Sequence, residues 1–277
     1  MNTLVATGTV GGGVQLSPDG SSVSLNIVVH RSWVSNGEVQ HNRAVIHGTY
    51  KFKDSDEADK VVFEKGSRVG FKGNITGEAR PSNRGELQVN GPHIQENAKG
   101  EPFCYFEADL TALSIIGAKA KSQNDFEDIF DLKLWGFLGR DPEARYTTTQ
   151  QLVVSTSIAF NYVKYESNGD GNAKKVEQTI WWNLAVFGKT AEKLVEINSK
   201  TGKPLWEKGK ALIVEGTLSA NQSYGGPNIW QGKDGENRAN YEFVVGSWCY
   251  APGKREGALP FAASANQGTT SDEEIPF

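Results

Sequence analysis

The sequence predicts an all-β protein made of two similar barrels that follow one another along the chain. Strand-like segments dominate, helical periodicity is confined to two short pieces, and several landmarks occur twice in the same order. At 277 residues the chain exceeds the usual size of a single domain, so we expect two domains of roughly 100–130 residues each.

Six segments have the β-branched and aromatic content, the partial alternation and the flanking turn residues of β-strands. They are residues 22–30, 41–52, 67–75, 151–160, 179–187 and 211–218. Two short helices are predicted at 54–63 and 189–197, and Asp54, Ser55 and Asp56 are suited to cap the first.

The landmarks that occur twice indicate an internal repeat. "EKGSRVGFKGNI" at 64–75 is similar to "EKGKALIVEGTL" at 207–218, and "GTVG" at 8–11 is similar to "GFLG" at 136–139. Each unit then has strands, a short helix between the third and fourth strands, and a closing hairpin, which is the pattern of the five-stranded Greek-key OB-fold. The predicted fold class is therefore all-β, with two tandem OB-fold barrels, each carrying a short helix, and a disordered C-terminal tail.

The composition along the chain suggests where these units begin and end. The region after Tyr250 is rich in Gly, Ala, Ser and Pro, which predicts disorder, and it ends in an acidic, apolar tip. The predicted parts are OB-fold domain 1 at 1–117, a linker at 118–128, OB-fold domain 2 at 129–252 and the tail at 253–277.

Bulk properties exclude several classes of protein. The chain has two cysteines, too few for a disulfide framework, no basic and apolar leader, and no apolar run long enough for a bilayer, so we expect a cytoplasmic protein with reduced thiols. A net charge of −4 does not by itself indicate nucleic-acid binding. Seven Trp and eight Tyr are more informative, because large rings are costly to expose unless something stacks on them.

Three motifs in the second unit carry a resemblance to a known family. "WGFLGRDPEARYT" (135–147), "IWWNLAVFGKTAEKL" (180–194) and "EKGKALIVEGTLSA" (207–220) resemble the bacterial single-stranded DNA-binding proteins. The first unit matches more weakly, because it lacks the Asp-Pro-Glu and Phe-Gly-Lys pieces. Two units in one chain are similar to the lineage of this family with tandem OB-folds.

The resemblance implies a function as well as a fold. It implies sequence-independent binding and protection of single-stranded DNA during replication, recombination and repair, close to the nucleoid and away from membranes. It also implies a homodimer, which would supply four OB-folds. We expect no enzymatic activity, no metal and no cofactor.

Single strands are held by aromatic faces that stack on bases and by cations that meet phosphates. Trp181 and Phe187 fall, by resemblance, on the family's stacking positions of the third strand. Alternation places Trp181 and Trp182 on opposite faces, so one of them is expected in the core. The predicted stacking residues are Trp181, Phe187, Tyr162, Tyr165, Tyr224, Trp230 and, in the first unit, Trp33.

The second unit is nearly neutral in sequence, so a phosphate-binding groove there requires clustered cations rather than bulk charge. Any one of these cations could equally be a solvated surface charge. The predicted phosphate contacts are Arg140, Arg145, Lys164, Lys174, Lys175, Lys189, Lys233 and, in the first unit, Arg31.

The last six residues resemble the acidic tip by which the family recruits replication, repair and recombination proteins. An apolar pocket could receive the final Phe, and basic groups could meet its carboxylate and the acids. The predicted docking residues are Asp272, Glu273, Glu274, Ile275, Pro276 and Phe277.

Two alternatives stay open at this point. One is a different OB-fold module, such as a primosome component or an RNA-binding protein, and competition among poly-dT, RNA and duplex DNA would separate these. The other is a Mg²⁺-dependent nuclease built on the acids at 54–59, although acids at a helix N-terminus have a simpler structural explanation. The four histidines are scattered and do not predict a metal site.

Overall fold

The structure is a computed structural model. It describes residues 2–251 apart from positions 36, 61, 77–79, 82–86, 91–92, 97–101, 118, 120–126, 149, 168–172, 198–201, 219–227, 234, 236 and 241. The predicted tail at 253–277, with its acidic tip, and Tyr224 lie outside the described residues. Within the described part, no helix is both long and apolar enough to cross a membrane.

The first barrel is a closed circuit of five strands in the order β1-β2-β3-β8-β4, in which β4 returns to pair with β1. A short helix lies between the third and fourth of these strands in chain order, as the sequence predicts. The elements are β1 (Asn2–Leu16), β2 (Ser22–Ser35), β3 (Glu38–Lys51), α1 (Ser55–Lys60), β4 (Arg68–Thr76), β5 (Arg80–Pro81), β6 (Leu87–Asn90), β7 (His93–Glu96) and β8 (Pro102–Gly117).

The second barrel repeats this circuit in the order β9-β11-β12-β16-β13, and β13 returns to pair with β9. The second helix again lies between the third and fourth barrel strands in chain order. The elements are β9 (Phe130–Leu138), β10 (Glu143–Tyr146), β11 (Leu152–Ser167), β12 (Ala173–Phe187), α2 (Gly188–Val195), β13 (Ala211–Leu218), β14 (Asn228–Gln231), β15 (Asn237–Asn240) and β16 (Glu242–Tyr250).

All six predicted strands are present, and the two long hairpins extend beyond their predicted ends. The β11–β12 ladder continues to the pair Ser167 and Ala173, well past the last core residues of the hairpin. Backbone hydrogen bonds stabilise this extension, and they have no hydrophobic signature in the sequence. The pattern of apolar residues therefore predicted only the part of each strand that packs on the core.

The repeated glycines lie where the first and second strands of each barrel approach each other most closely. A side chain at Gly8 would place its Cβ 2.9 Å from the carbonyl oxygen of Val28, and one at Gly136 would collide with the carbonyl oxygen of Ala159. Val28 and Ala159 occupy the same place in the two barrels, on the second strand of the circuit. The sequence similarity of "GTVG" and "GFLG" therefore has a steric cause, because the two strands approach too closely for a larger residue.

The two barrels are joined through their first strands and share one core. β1 and β9 pair antiparallel, from Asn2 opposite Leu134 to Ala6 opposite Phe130. The buried apolar side chains of both barrels form a single cluster, in which Phe106 of the first barrel stacks on Trp182 of the second with ring centroids 5.3 Å apart.

A buried ion pair fixes the start of the second barrel against the outside of the first. Arg68 and Asp128 are 2.6 Å apart and nearly inaccessible to solvent. Asp128 also accepts hydrogen bonds from the Thr7 hydroxyl and the His30 amide, and Arg68 donates to Thr9. The described end of the predicted linker is thus a structural segment in contact with the first barrel.

We expect Asp128→Ala to lower the free energy of unfolding by about 3–5 kcal/mol, since it leaves the Arg68 guanidinium buried without its counter-charge. Urea unfolding followed by far-UV circular dichroism would measure this change. Glu64→Ala is the matched control, because its ion pair with Lys119 is exposed and its loss should not move the midpoint measurably. Equal midpoints for the two variants would contradict the role assigned to the buried pair.

Candidate nucleic-acid interface

The outer surface of β9, β10, β11 and β12 carries five of the residues predicted to contact a ligand, which are Trp181, Phe187, Tyr165, Arg145 and Lys175. Residues directly opposite one another in paired strands project from the same side of a sheet. The neighbouring residues Leu138, Ile158 and Trp182 are buried, so the alternate positions face outward. We name this surface the aromatic face. Its cross-strand rows are Arg145–Val153–Phe187, in which Val153 is buried, Phe137–Ala159–Trp181 and Tyr165–Lys175.

The aromatic face is long because the β11–β12 hairpin is long. From Val153 to Tyr165 the strand extends about 40 Å at ~3.3 Å per residue. Phe187 lies at one end and is partly exposed, and Tyr165 lies at the other with 68% of its surface accessible. A chain-like ligand of several units can therefore contact one continuous surface.

Trp181 occupies the middle of this face. Trp181 is partly exposed, whereas Trp182 retains 6% of its accessible surface and lies in the core, as strand alternation predicts. The Trp181 ring lies over Gly139, where a Cβ would collide with it. The second glycine of "GFLG" thus leaves room for an indole on the outside of the barrel.

Two further aromatic residues belong to the aromatic face and were not predicted from the sequence. Trp135 and Phe137 on β9 retain 40% and 48% of their accessible surface. Phe137 completes the row with Ala159 and Trp181, and Trp135 lies opposite Ile213. Alternation around the buried Leu134 and Leu138 could have identified them, because it places both rings on the outer side of β9.

The predicted cations differ in their surroundings. Arg145 is exposed in the row of Phe187, and Arg140 is exposed just after β9. Lys175 pairs with Glu177 at 2.6 Å, and that hydrogen bond, more than the charge of Glu177, raises the pKa of Lys175. Lys174, Lys189 and Lys233 are also exposed.

Acidic residues limit the aromatic face on the side of the first barrel. Lys133 lies 3.2 Å from Glu215, and this hydrogen bond raises the pKa of the lysine. Burial and the charge of Glu215 raise the pKa of Asp131 beside them. Lys133 is thus surrounded by two carboxylates, Glu215 and Asp131, and the three residues together do not attract an anion.

Several predicted residues lie elsewhere or cannot be placed by their side chains. Arg31 is half-buried and donates a hydrogen bond of 2.8 Å to Thr217 of the second barrel, so it is engaged within the protein. Trp230 is exposed on the β14–β15 hairpin. The structure describes only the backbone of the remaining three, which are Tyr162 opposite Gln178, Lys164 opposite Val176 and Trp33 opposite Gln40.

The equivalent surface of the first barrel has a different character. Its row corresponding to Phe137–Ala159–Trp181 is Thr9–Val28–Val45, which contains no aromatic ring. The segment 127–129 lies along this part of the barrel, where Glu127 accepts hydrogen bonds from the amide and hydroxyl of Ser32. Linker and barrel cover each other at this place.

Two of the acids considered for metal binding, Asp54 and Glu57, make local hydrogen bonds. Asp54 accepts a hydrogen bond from the amide of Glu57 and caps α1. The pKa of Glu57 is lowered mainly by the Lys53 amide and then by the Tyr50 hydroxyl, which both donate to its carboxylate. Among the residues that the structure describes, no group of three or more His, Cys, Asp or Glu side chains is arranged to hold a metal ion.

Comparisons with known proteins match this chain to single-strand binding proteins. The model of the single-strand binding protein family matches residues 129–248. A single-stranded DNA-binding protein of Neisseria meningitidis (serogroup A) is 32% identical over 136 residues, which are 48% of this chain and 67% of the relative. The same identity and coverage hold for the protein of a serogroup B strain.

A solved structure shows the same arrangement of strands. The wild-type single-stranded DNA binding protein from Thermus aquaticus superposes with a TM-score of 0.52 at 15% identity, over 94% of this chain and 97% of that one. A deletion mutant of the same protein gives a TM-score of 0.53 at 14% identity. At such identities the superposition establishes the fold alone.

The two thiols should differ in reactivity. Cys249 is exposed on β16 opposite Ile213, at the border of the aromatic face, whereas Cys104 is buried and burial raises its pKa to about 12. Because the folded-state pKa lies above the unfolded value, the protonated thiol of Cys104 persists until the pH approaches 12. At pH 8 we expect a thiol reagent to modify one cysteine in the native protein and two in urea. Fast reaction of both native thiols would contradict the burial of Cys104.

Proposed function

Because the chain belongs to the single-strand binding protein family, we propose that it binds single-stranded DNA without sequence preference through the aromatic face of the second barrel. The observation that carries this proposal is the row Phe137–Ala159–Trp181, which presents two rings on a rigid sheet. Stacking on such rings tolerates any base, since every base has a π-face.

The charges around the aromatic face suit a ligand that is held mainly by base stacking, with a smaller contribution from cations that neutralise its phosphates. Arg145 lies in the same cross-strand row as Phe187, with β11 between them, so a phosphate can meet a cation while its base contacts a ring. Lys175 reaches a phosphate only by exchanging Glu177 for it. Binding should therefore weaken with salt, but less steeply than in a protein with a uniformly basic groove.

Poly-dT should quench the intrinsic tryptophan fluorescence of the full chain strongly, and duplex DNA should hardly change it. A duplex hides its base faces, so the exposed rings can stack only on a single strand. RNA of the same length is the third ligand, and preferential binding of RNA would favour an RNA-binding role. Equal quenching by duplex and poly-dT would contradict the proposal.

Replacements of Trp181 test the stacking mechanism directly. We expect Trp181→Leu to weaken binding of poly-dT about tenfold or more, since one stacked base contributes roughly 1–3 kcal/mol. Trp181→Phe is the matched variant, because it keeps a π-face at the same position and should retain most of the affinity. Equal loss in the two variants would indicate that the position matters for packing rather than for stacking.

We infer further that the protein protects single strands during replication, recombination and repair, and that its acidic tip recruits enzymes of these processes. The motif "DEEIPF" at 272–277, together with the Gly-, Ala-, Ser- and Pro-rich composition of the region before it, supports this second role. We also propose the domain limits 1–117 and 129–252, a homodimer that brings four barrels together, and a location at the nucleoid.

Deletion of Phe277 should separate the two roles. We expect the affinity for poly-dT to stay within about twofold, because the rings that stack on DNA lie in the barrels. Copurification of replication and repair proteins from cell extract should be lost, since the terminal ring and carboxylate would be missing. Loss of poly-dT binding on this deletion would contradict the division between barrels and tip.

A further inference from the structure

The first barrel carries a group of rings that lies apart from the surface covered by its linker. His47 on β3, His93 on β7, and Phe103 and Tyr105 on β8 are all partly exposed. Tyr105 is the centre of the group. Its ring centroid lies 5.1 Å from that of His93, 6.0 Å from His47 and 6.3 Å from Phe103. We name these four residues the Tyr105 cluster.

Hydrogen bonds and strand pairing hold this cluster in place. His93 lies directly opposite Tyr105 in the β7–β8 pair and stacks on it almost in parallel, at 16°. Gln95 donates a hydrogen bond to the Tyr105 hydroxyl, and His47 is bonded to the side-chain oxygen of Asn26 at 2.8 Å. Rings that are already ordered lose little conformational entropy when a base stacks on them.

From this arrangement we propose that the Tyr105 cluster is a second stacking surface for single-stranded DNA, which the first barrel uses in place of its covered face. This inference rests on the proposed function, and it assigns a site that contains none of the residues predicted from the sequence. The ligand of the Tyr105 cluster is a base of the same DNA strand that is bound at the aromatic face.

The path between the two surfaces is short. β6 pairs in parallel with β12, and Asn90 lies opposite Trp181 in that ladder. His93 follows Asn90 by three residues, which span at most about 10 Å of chain. A single strand of DNA that leaves Trp181 along β6 therefore reaches β7 and the Tyr105 cluster within a few nucleotides. The β7 strand also lies near β15, beside the hairpin that carries Trp230.

The hairpins of the two barrels correspond in register, which explains why the first one is suited to this role. The pairs His93–Tyr105 and Gln95–Phe103 correspond to Asn228–Asn240 and Trp230–Arg238. Both hairpins therefore carry an aromatic residue at one corresponding rung, Phe103 and Trp230, and the first hairpin has two further rings at the neighbouring rung. The first barrel has its rings at the base of the hairpin, next to His47 of the barrel wall.

The charges of the cluster indicate that it contacts bases rather than phosphates. Glu107 lies 3.8 Å from His93 and opposite His47 in the strand ladder, and Asp109 is exposed two residues further along β8. Phosphates would be repelled from this border. The contribution of the cluster to binding should therefore be nearly independent of salt.

Two lengths of oligo-dT distinguish the surfaces. An oligonucleotide of about 15 nucleotides fits within the site of one OB-fold, and one of about 35 nucleotides can span two. We expect Tyr105→Leu and His93→Ala in the full chain to weaken binding of the longer oligonucleotide about tenfold each, while the shorter one, held by the aromatic face, keeps its affinity. His41→Ala is the matched control, because it removes an exposed imidazole of the same barrel outside the cluster.

The salt dependence supplies a readout that misfolding would not imitate. Tyr105→Leu should leave the slope of log K against log salt unchanged, whereas Arg145→Gln should reduce it by about 0.7. Photocrosslinking of an iododeoxyuridine-substituted 35-mer should label Tyr105 or His93 in the unmodified protein. Unchanged affinity of Tyr105→Leu for the longer oligonucleotide, or crosslinks confined to the second barrel, would overturn the inference. Failure of the unmodified protein to bind either length would instead overturn the proposed function.

Discussion

The buried pair of Arg68 and Asp128 is the interaction on which the relation of the two barrels depends. Both charges are removed from water, and the pair is tolerable only because Thr7, Thr9 and the His30 amide supply further hydrogen bonds. The contact ties the entry of the second barrel to the wall of the first. It thereby sets the register in which β1 and β9 pair and in which the two cores meet at Phe106 and Trp182.

The same pair explains how two copies of one fold acquire different surfaces. Arg68 and Thr9 occupy the places that Ala211 and Phe137 hold in the second barrel. A polar residue there accommodates the incoming linker, whereas a ring there stays available to a ligand. The first barrel has used its equivalent surface for internal contacts, and its remaining exposed rings lie at the hairpin around Tyr105.

The aromatic face is stable in water because its rings are supported from below. The glycines at 136 and 139 allow close strand contact and room for the Trp181 ring, and Leu134, Leu138 and Ile158 anchor the strands beneath. Trp181, Trp135 and Phe137 are exposed only in part, so each places limited apolar surface in water while part of its ring stays accessible for stacking. Local ion pairs such as Lys175–Glu177 keep the net charge of the surface low.

Much of the architecture follows from the sequence alone, because it depends on patterns local to the chain. Alternation separates Trp181 from Trp182, the repeated glycines mark the close approach of the first two strands in each barrel, and the duplicated segments predict two circuits of the same order. These features need only strand geometry and the size of a side chain.

The tertiary structure decided what covers each surface, since that depends on partners distant in the chain. Asp128 belongs to a polar stretch with no pattern of its own, and only the approach of Arg68 makes it a buried anchor. Arg31 has the composition of a phosphate contact but lies beside Thr217, and Tyr105 gains its neighbours from β3 and β7. Periodicity indicates which residues share a face, whereas long-range pairing determines whether that face meets a linker, another barrel or solvent.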